Sequence, residues 1–157
     1  MTDVTAASLA THQFLRGMSS RHLAQLAPAA SLVILPRGHR LFEDGGYARR
    51  FWLIRSGSVV LDLHVPGQGV AVIDTLGMGE VLGCSWLFPP HVWVFGAVAA
   101  RPVEAFEFDG RAVLACCDAD PSLGYELTRR FLAVVVRRLQ TTRMRLLDRY
   151  APLSALS

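Results

Sequence analysis

"FWLIRSGSVVL", residues Phe51 to Leu61, sets two short runs of β-branched, aromatic and aliphatic residues on either side of a Ser-Gly-Ser turn. Gly57 sits where a tight turn demands a positive φ, so the stretch predicts two strands joined as a hairpin. The same grammar continues outward. "SLVILP", "HRLFEDGG", "SVVLDLHVPGQG", "VAVIDTLGMG", "EVLG", "WVFGAVAA" and "VEAFEFDG" each read as a short strand ended by a turn signal. In "VVLDLHV" the residues Val59, Leu61, Leu63 and Val65 alternate with Val60, Asp62 and His64, the period of two of a strand with distinct faces. About eight strands at this close spacing predict an antiparallel jelly roll.

Helical period frames the strands. In "FLRGMSSRHLAQLAPAA" the residues Phe14, Leu15, Met18, Leu23 and Leu26 follow a broken helical spacing, with Ser19 or Ser20 as N-cap. After Asp109 comes "GRAVLACCDADP", then a long helix from about Ser122 to Tyr150, with Pro121 as its start signal and Pro152 as its stop. Leu123, Leu127, Phe131, Val134 or Val135, Leu139, Thr142 and Leu146 recur along it at three- and four-residue steps, and arginines fill the remaining arc. Such a helix is about 40 Å long at 1.5 Å per residue, more than a small barrel covers. The excess predicts a parallel homodimer seamed by Leu127, Phe131, Val134, Val135, Leu139 and Leu146. The expected organisation is a barrel with its N-terminal helix over residues 12–120, the long helix over 121–150, and a short tail over 151–157.

Composition sets the outer bounds. With 52% hydrophobic and 18% charged residues the chain lies well inside the folding regime. All sixteen basic residues are arginine. The start "MTDVTAASLATHQF" lacks the basic and apolar parts of a signal peptide, and no long apolar run is present, so a cytoplasmic protein with no membrane partner is expected. Cys84, Cys116 and Cys117 make no CxxC pair and read as buried thiols. His12, His22, His39, His64 and His91 are scattered singly, and hydrolase, Walker and dinucleotide motifs are missing, so neither a metal site nor an enzyme is expected.

The order helix, eight strands, short helix, long helix, with "FEDGGYARRFWLIRSGSVVL" in its middle and "GMGEVLG" after the fifth strand, resembles a cyclic-nucleotide-binding domain. It is most similar to the sensor domain of catabolite-activator and fumarate-nitrate-type bacterial regulators. The turn Phe42 to Gly45 and the glycines Gly79 and Gly83 carry the likeness, which extends over residues 12 to 150. The resemblance implies a phosphate-binding cassette after the fifth strand, in which a Glu takes the ribose hydroxyl, an Arg the phosphate, and a short helix N-terminus supplies amides. It places the ligand pocket at Glu80, Val81, Leu82, Gly83, Cys84, Ser85, Trp86, Trp93 and Val94, with Thr142 of the long helix, or Thr141 one place earlier, toward a purine.

The cassette departs from the family's pattern. Aligning Gly79 and Gly83 puts Cys84 in the place of the ribose Glu and Trp93 or Val94 in the place of the arginine. No arginine lies between Arg55 and Arg101. Losing the paired guanidinium contact forfeits about 1.5–3 kcal/mol, one to two decades of affinity. Unless Arg101, Arg49, Arg50 or His91 compensates, ordinary binding of cyclic AMP or cyclic GMP is not expected. In "SWLFPPHVWVF" the rings Trp86, Phe88, Trp93 and Phe95 surround two prolines, consistent with a pocket filled by its own side chains, a flat non-standard ligand, or an aromatic patch that docks a protein partner. The expected function is a non-catalytic regulatory module without a cofactor, acting through protein contacts or an unidentified small ligand. A true cyclic-nucleotide sensor with a relocated arginine is the alternative. Only "APLSALS" follows Tyr150, too short for a winged helix-turn-helix, so DNA binding by that route is not expected.

Overall fold

A computed structural model describes residues 3–149 of the chain. Eight strands form two antiparallel four-stranded sheets. In chain order they are β1 Ala30–Leu35, β2 Arg40–Phe42, β3 Arg50–Ser56, β4 Val59–Val65, β5 Gly69–Leu76, β6 Val81–Leu82, β7 Gly96–Ala99 and β8 Val103–Asp109. One sheet runs β1-β8-β3-β6 and the other β2-β7-β4-β5, the jelly roll that the strand spacing predicts. Four helices flank the sheets: α1 Ala6–Leu9, α2 Ser20–Leu26, α3 Gly110–Ala119 and α4 Pro121–Asp148. The capped turn α1 carries no sequence periodicity of its own, yet its Leu9 is fully buried in the core. Tyr150, Pro152 and the tail 151–157 lie outside the described residues.

The opening motif requires a correction. β3 pairs with β6 and β8, whereas β4 pairs with β5 and β7, so "FWLIRSGSVVL" is a corner between the two sheets and not a hairpin. Gly57 does take a positive φ of 92°. The turn is tight because it packs on the next corner: a Cβ at Gly57 would meet the Pro102 carbonyl and lie 2.9 Å from the Val103 Cα. The alternation along β4 also breaks midway. A register shift between Leu61 and Asp62 turns the Asp62 carboxylate into the protein, where Arg40 binds it through two hydrogen bonds of 3.1 and 2.7 Å.

Because β3 is covered on both faces, Phe51, Trp52, Leu53 and Ile54 are all buried. Trp52 faces the other sheet, near Phe42 and Trp93. Phe51 faces outward, stacked on its cross-strand neighbour Phe108 at 4.5 Å, and meets Phe131 of α4 edge-on at 5.2 Å. The long helix is thereby a third layer on the β3 sheet. Asp120 starts it, accepting from Ser122 N as N-cap and receiving Arg21 and Gln25 of α2 on its other oxygen. The Ser122 hydroxyl, which donates to Asp120 Oδ1 at 2.6 Å, together with Gln25, the Ser122 amide and the charge of Arg21, holds the Asp120 carboxyl below the usual carboxylate range.

Candidate functional site

The segment from Gly79 to Val94 leaves β5 through a turn, adds the two-residue β6, bends at Gly83 and makes a single 3-10 turn over Ser85–Leu87. Glu80 is spent inside the first turn, its Oε2 accepting the Gly77 N–H at 2.7 Å. Val81 and Leu82 are buried in β6. A cis Pro89-Pro90 bond and His91 at a φ of 55° close the loop, with His91 Nδ1 2.9 Å from the Trp86 carbonyl.

The rings of the segment belong to the interior. Trp86 is 1% exposed, stacks on Phe51 at 4.6 Å and meets Phe131 at 5.3 Å, so it cements α4 to the sheet. Trp93 is 3% exposed and stacks on Phe42 at 3.8 Å between the sheets. It also lies over the cassette glycine: a Cβ at Gly83 would come within 2.8 Å of the Trp93 ring. Neither indole offers a docking surface, which corrects the aromatic-patch expectation, and of the four rings only Phe88 stands half in solvent. Val94 is 65% exposed. Cys84 and Ser85 are partly buried. Burial pushes the Cys84 thiol up, against the opposing pull of the Arg138 charge.

The long helix divides differently from the single stripe expected. Leu123, Leu127, Phe131 and Val134 are buried within their own chain and are not free to form a seam. Val135, Leu139 and Leu146 are exposed, and Leu132 and Val136, absent from the predicted seam, join them. A helix of 3.6 residues per turn has room for both faces, and periodicity alone does not say which one the barrel takes. Every described residue from Leu139 to Arg149 is exposed.

Between this helix and the barrel lies a crevice of about 380 Å³, bounded by Gln13 and Phe14, by Asp74 and Thr75 of β5, by Gly79 to Val81, and by Arg130, Arg137, Arg138, Thr141 and Arg145 of α4. Thr141, the one-residue alternative, faces it; Thr142 turns away and donates to the Arg138 carbonyl. None of the compensating cations expected along the barrel, Arg49, Arg50, Arg101 and His91, lines this crevice. Arg50 pairs with Glu107 at 3.7 Å, Arg49 lies over Tyr47, and His91 holds its own loop. The guanidinium that reaches the cassette comes from α4 instead: Arg138 donates to the Val81 carbonyl, beside Cys84. Its only trace in the sequence is the recurrence of Arg130, Arg137, Arg138 and Arg145 on the arc shared by Val134 and Thr141.

Two stacked antiparallel sheets, a short segment with its glycine bend and a long C-terminal helix define the class: a jelly roll closed by a helix. The cyclic nucleotide-binding domain family matches residues 32–120, over half of the chain, and the chain belongs to that family. A CRP-like cAMP-activated global transcriptional regulator of Mycobacterium tuberculosis is 26% identical over 140 residues, covering 89% of this chain and 61% of the relative. The chain thus spans about three fifths of the length of that curated relative. A cyclic nucleotide-binding domain from Methylobacillus flagellatus superimposes with a TM-score of 0.77 at 21% identity, over 86% of this chain and 76% of that one. The catabolite activator protein of Thermus thermophilus does so with a TM-score of 0.68 at 23% identity, over 85% and 61%. These two likenesses are likenesses of fold. No helix among the described residues is long and apolar enough to cross a membrane.

Proposed function

We propose that this chain is a non-catalytic sensing module in which the interior position of a cyclic monophosphate is taken by the protein's own rings. The module then signals through its long helix and a different small ligand. The observation that carries the reading is Trp93, stacked on Phe42 and lying across Gly83 where the cassette bends. Cys84, in the place of the ribose carboxylate, is a half-buried thiol and a poor acceptor by comparison. Partnering follows from the outer face of α4: Leu132, Val135, Val136, Leu139 and Leu146 are large, apolar and exposed, the composition of a helix that meets its own copy.

Calorimetric titration of the full chain with cyclic AMP and cyclic GMP tests the reading. No saturable heat is expected up to about 1 mM, and saturable binding of either nucleotide tighter than about 10 μM overturns it. One observation favours the alternative of a sensor with a relocated arginine: Arg138 does bring a cation to β6. It arrives from the crevice side, however, and the residues lining that crevice do not include Gly83 to Trp86.

A further inference from the structure

The four arginines of the crevice fall at positions i, i+7, i+8 and i+15 of α4, within about 100° of its circumference. Two carboxylates face them, Asp74 and Glu80, so the lining carries a surplus of two positive charges. Both acids are already engaged. Asp74 Oδ1 accepts from Arg145 Nη2 at 3.2 Å, and Glu80 accepts from the Gly77 amide. Arg130 is anchored on the Phe14 and Arg16 carbonyls at 2.9 and 3.0 Å and lies 3.9 Å from Glu126, outside the crevice.

Arg137 and Arg138 remain. No carboxylate of the described residues pairs with either, and Arg138 has a backbone carbonyl as its hydrogen-bond acceptor. A guanidinium drawn out of water without a counter-ion is costly, and proteins ordinarily pair such a group or give it an anion. Burial lowers the pKa of Arg138 from its ordinary value, and the charges of Glu80 and Asp74 nearby oppose that shift without cancelling it. Around these cations stand the neutral hydrogen-bonding groups of Gln13 and Thr141. The crevice volume falls within the range of small-molecule sites, about 300–1,000 Å³.

We propose that this crevice binds a small phosphate monoester or diphosphate carrying two or more negative charges, with Arg137 and Arg138 as its charge-assisted donors. The proposal deepens the reading of a ring-filled barrel, since it names the ligand class that such a module senses. Charge discriminates among phosphates. A cyclic phosphodiester bears one negative charge and leaves a cation unanswered, whereas a phosphate monoester, with its second pKa near about 6, or a pyrophosphate neutralises both. The ligand would touch the 13–14 turn, the β5–β6 turn and α4 together, so its occupancy bears on how the helix seats against the barrel.

Titration of the full chain with pyrophosphate, adenosine 5′-monophosphate and cyclic AMP tests this. The first two are expected to bind saturably, and cyclic AMP to show no saturable binding up to about 1 mM. Arg137 is exposed and its side chain makes no hydrogen bond to the described residues, so Arg137→Gln keeps the fold and weakens pyrophosphate by about tenfold or more, while Arg129→Gln, on the same helix but outside the crevice, leaves it unchanged. Absence of saturable binding by both pyrophosphate and the monophosphate overturns the proposal and leaves the ring-filled barrel standing. So does an equal loss in both variants, which marks diffuse charge attraction. Tight cyclic AMP binding that is indifferent to Arg137→Gln overturns the ring-filled barrel instead.

Discussion

His12 shows how much one side chain decides at the join between the N-terminal segment and the barrel. It is 5% exposed; its Nδ1 accepts the Phe14 N–H at 3.1 Å and its Nε2 lies 2.8 Å from the Ile54 carbonyl, so the neutral ring carries its proton on Nε2. Burial is the main cause that holds its pKa below the ordinary 6.5; the Ile54 bond opposes this and the charge of Arg55 adds to it. Below 6.5 the unfolded chain takes up a proton that the folded chain refuses. The stabilisation from a neutral His12 is therefore complete above that pH and is lost as pH falls beneath it. Urea unfolding at about pH 7.5 and about pH 5.5 checks this: the midpoint is expected to fall toward acid, and the slope to flatten in His12→Asn, whose amide oxygen can still accept from Phe14 N. An unchanged slope in the variant would assign the acid sensitivity to another group. Single positions also mark what sequence reveals about the site. Gly57 and Gly83 announce their turns because a positive φ shows in the residue type, although the contacts that exclude a Cβ there are distant, whereas the use of Arg138 depends on Val81, 57 positions away, and leaves no such mark.

At the level of elements the long helix carries the most information and was the least legible. Its start is written in the chain, by Asp120 as cap and Pro121 in the first turn. Its two apolar faces are not, because both obey the same three- and four-residue steps. Leu132, Val136, Leu139, Arg143 and Leu146 follow alternating steps of four and three, the spacing of a two-stranded coiled coil, with Arg143 as a charged break near the end. Phe131, just before the first of those positions, and Val134, between the first two, turn inward. Because the inner face is already committed to the barrel, substitutions on the outer face separate association from folding. Leu132→Glu with Leu139→Glu is expected to reduce the mass seen by light scattering from about twice 17.2 kDa to the single-chain value, with unfolding of the monomer shifted by no more than about 0.5 kcal/mol. A wild-type chain already monomeric at tens of micromolar would remove the dimer from the account.

In the whole molecule, strand positions were legible and strand partners were not. Alternation and glycine turns are local signals, but the assignment of β3 and β4 to opposite sheets is settled by contacts with β8 and β7 at the far end of the barrel. The same non-local packing decides where the molecule's stability resides. Leu123, Leu127, Phe131 and Val134 of α4 are all buried, Phe131 on an aromatic shelf of Phe14, Phe51 and Trp86, and burying four such side chains is worth roughly 6–12 kcal/mol at about 1.5–3 each. That is comparable with the entire net stability of an ordinary domain, about 5–15 kcal/mol. Beyond Arg138 the helix buries nothing among the described residues. A chain ending after Gln140 is therefore expected to unfold within about 0.5 kcal/mol of the full chain, when both are measured dilute enough to be monomeric. A chain ending after Asp120 leaves the aromatic shelf open and is expected to show no cooperative unfolding transition and to aggregate. Cooperative melting of the shorter piece would mean that the two sheets stand alone and that the helix is an appendage. In that event a ligand lying between helix and barrel would have little leverage over either.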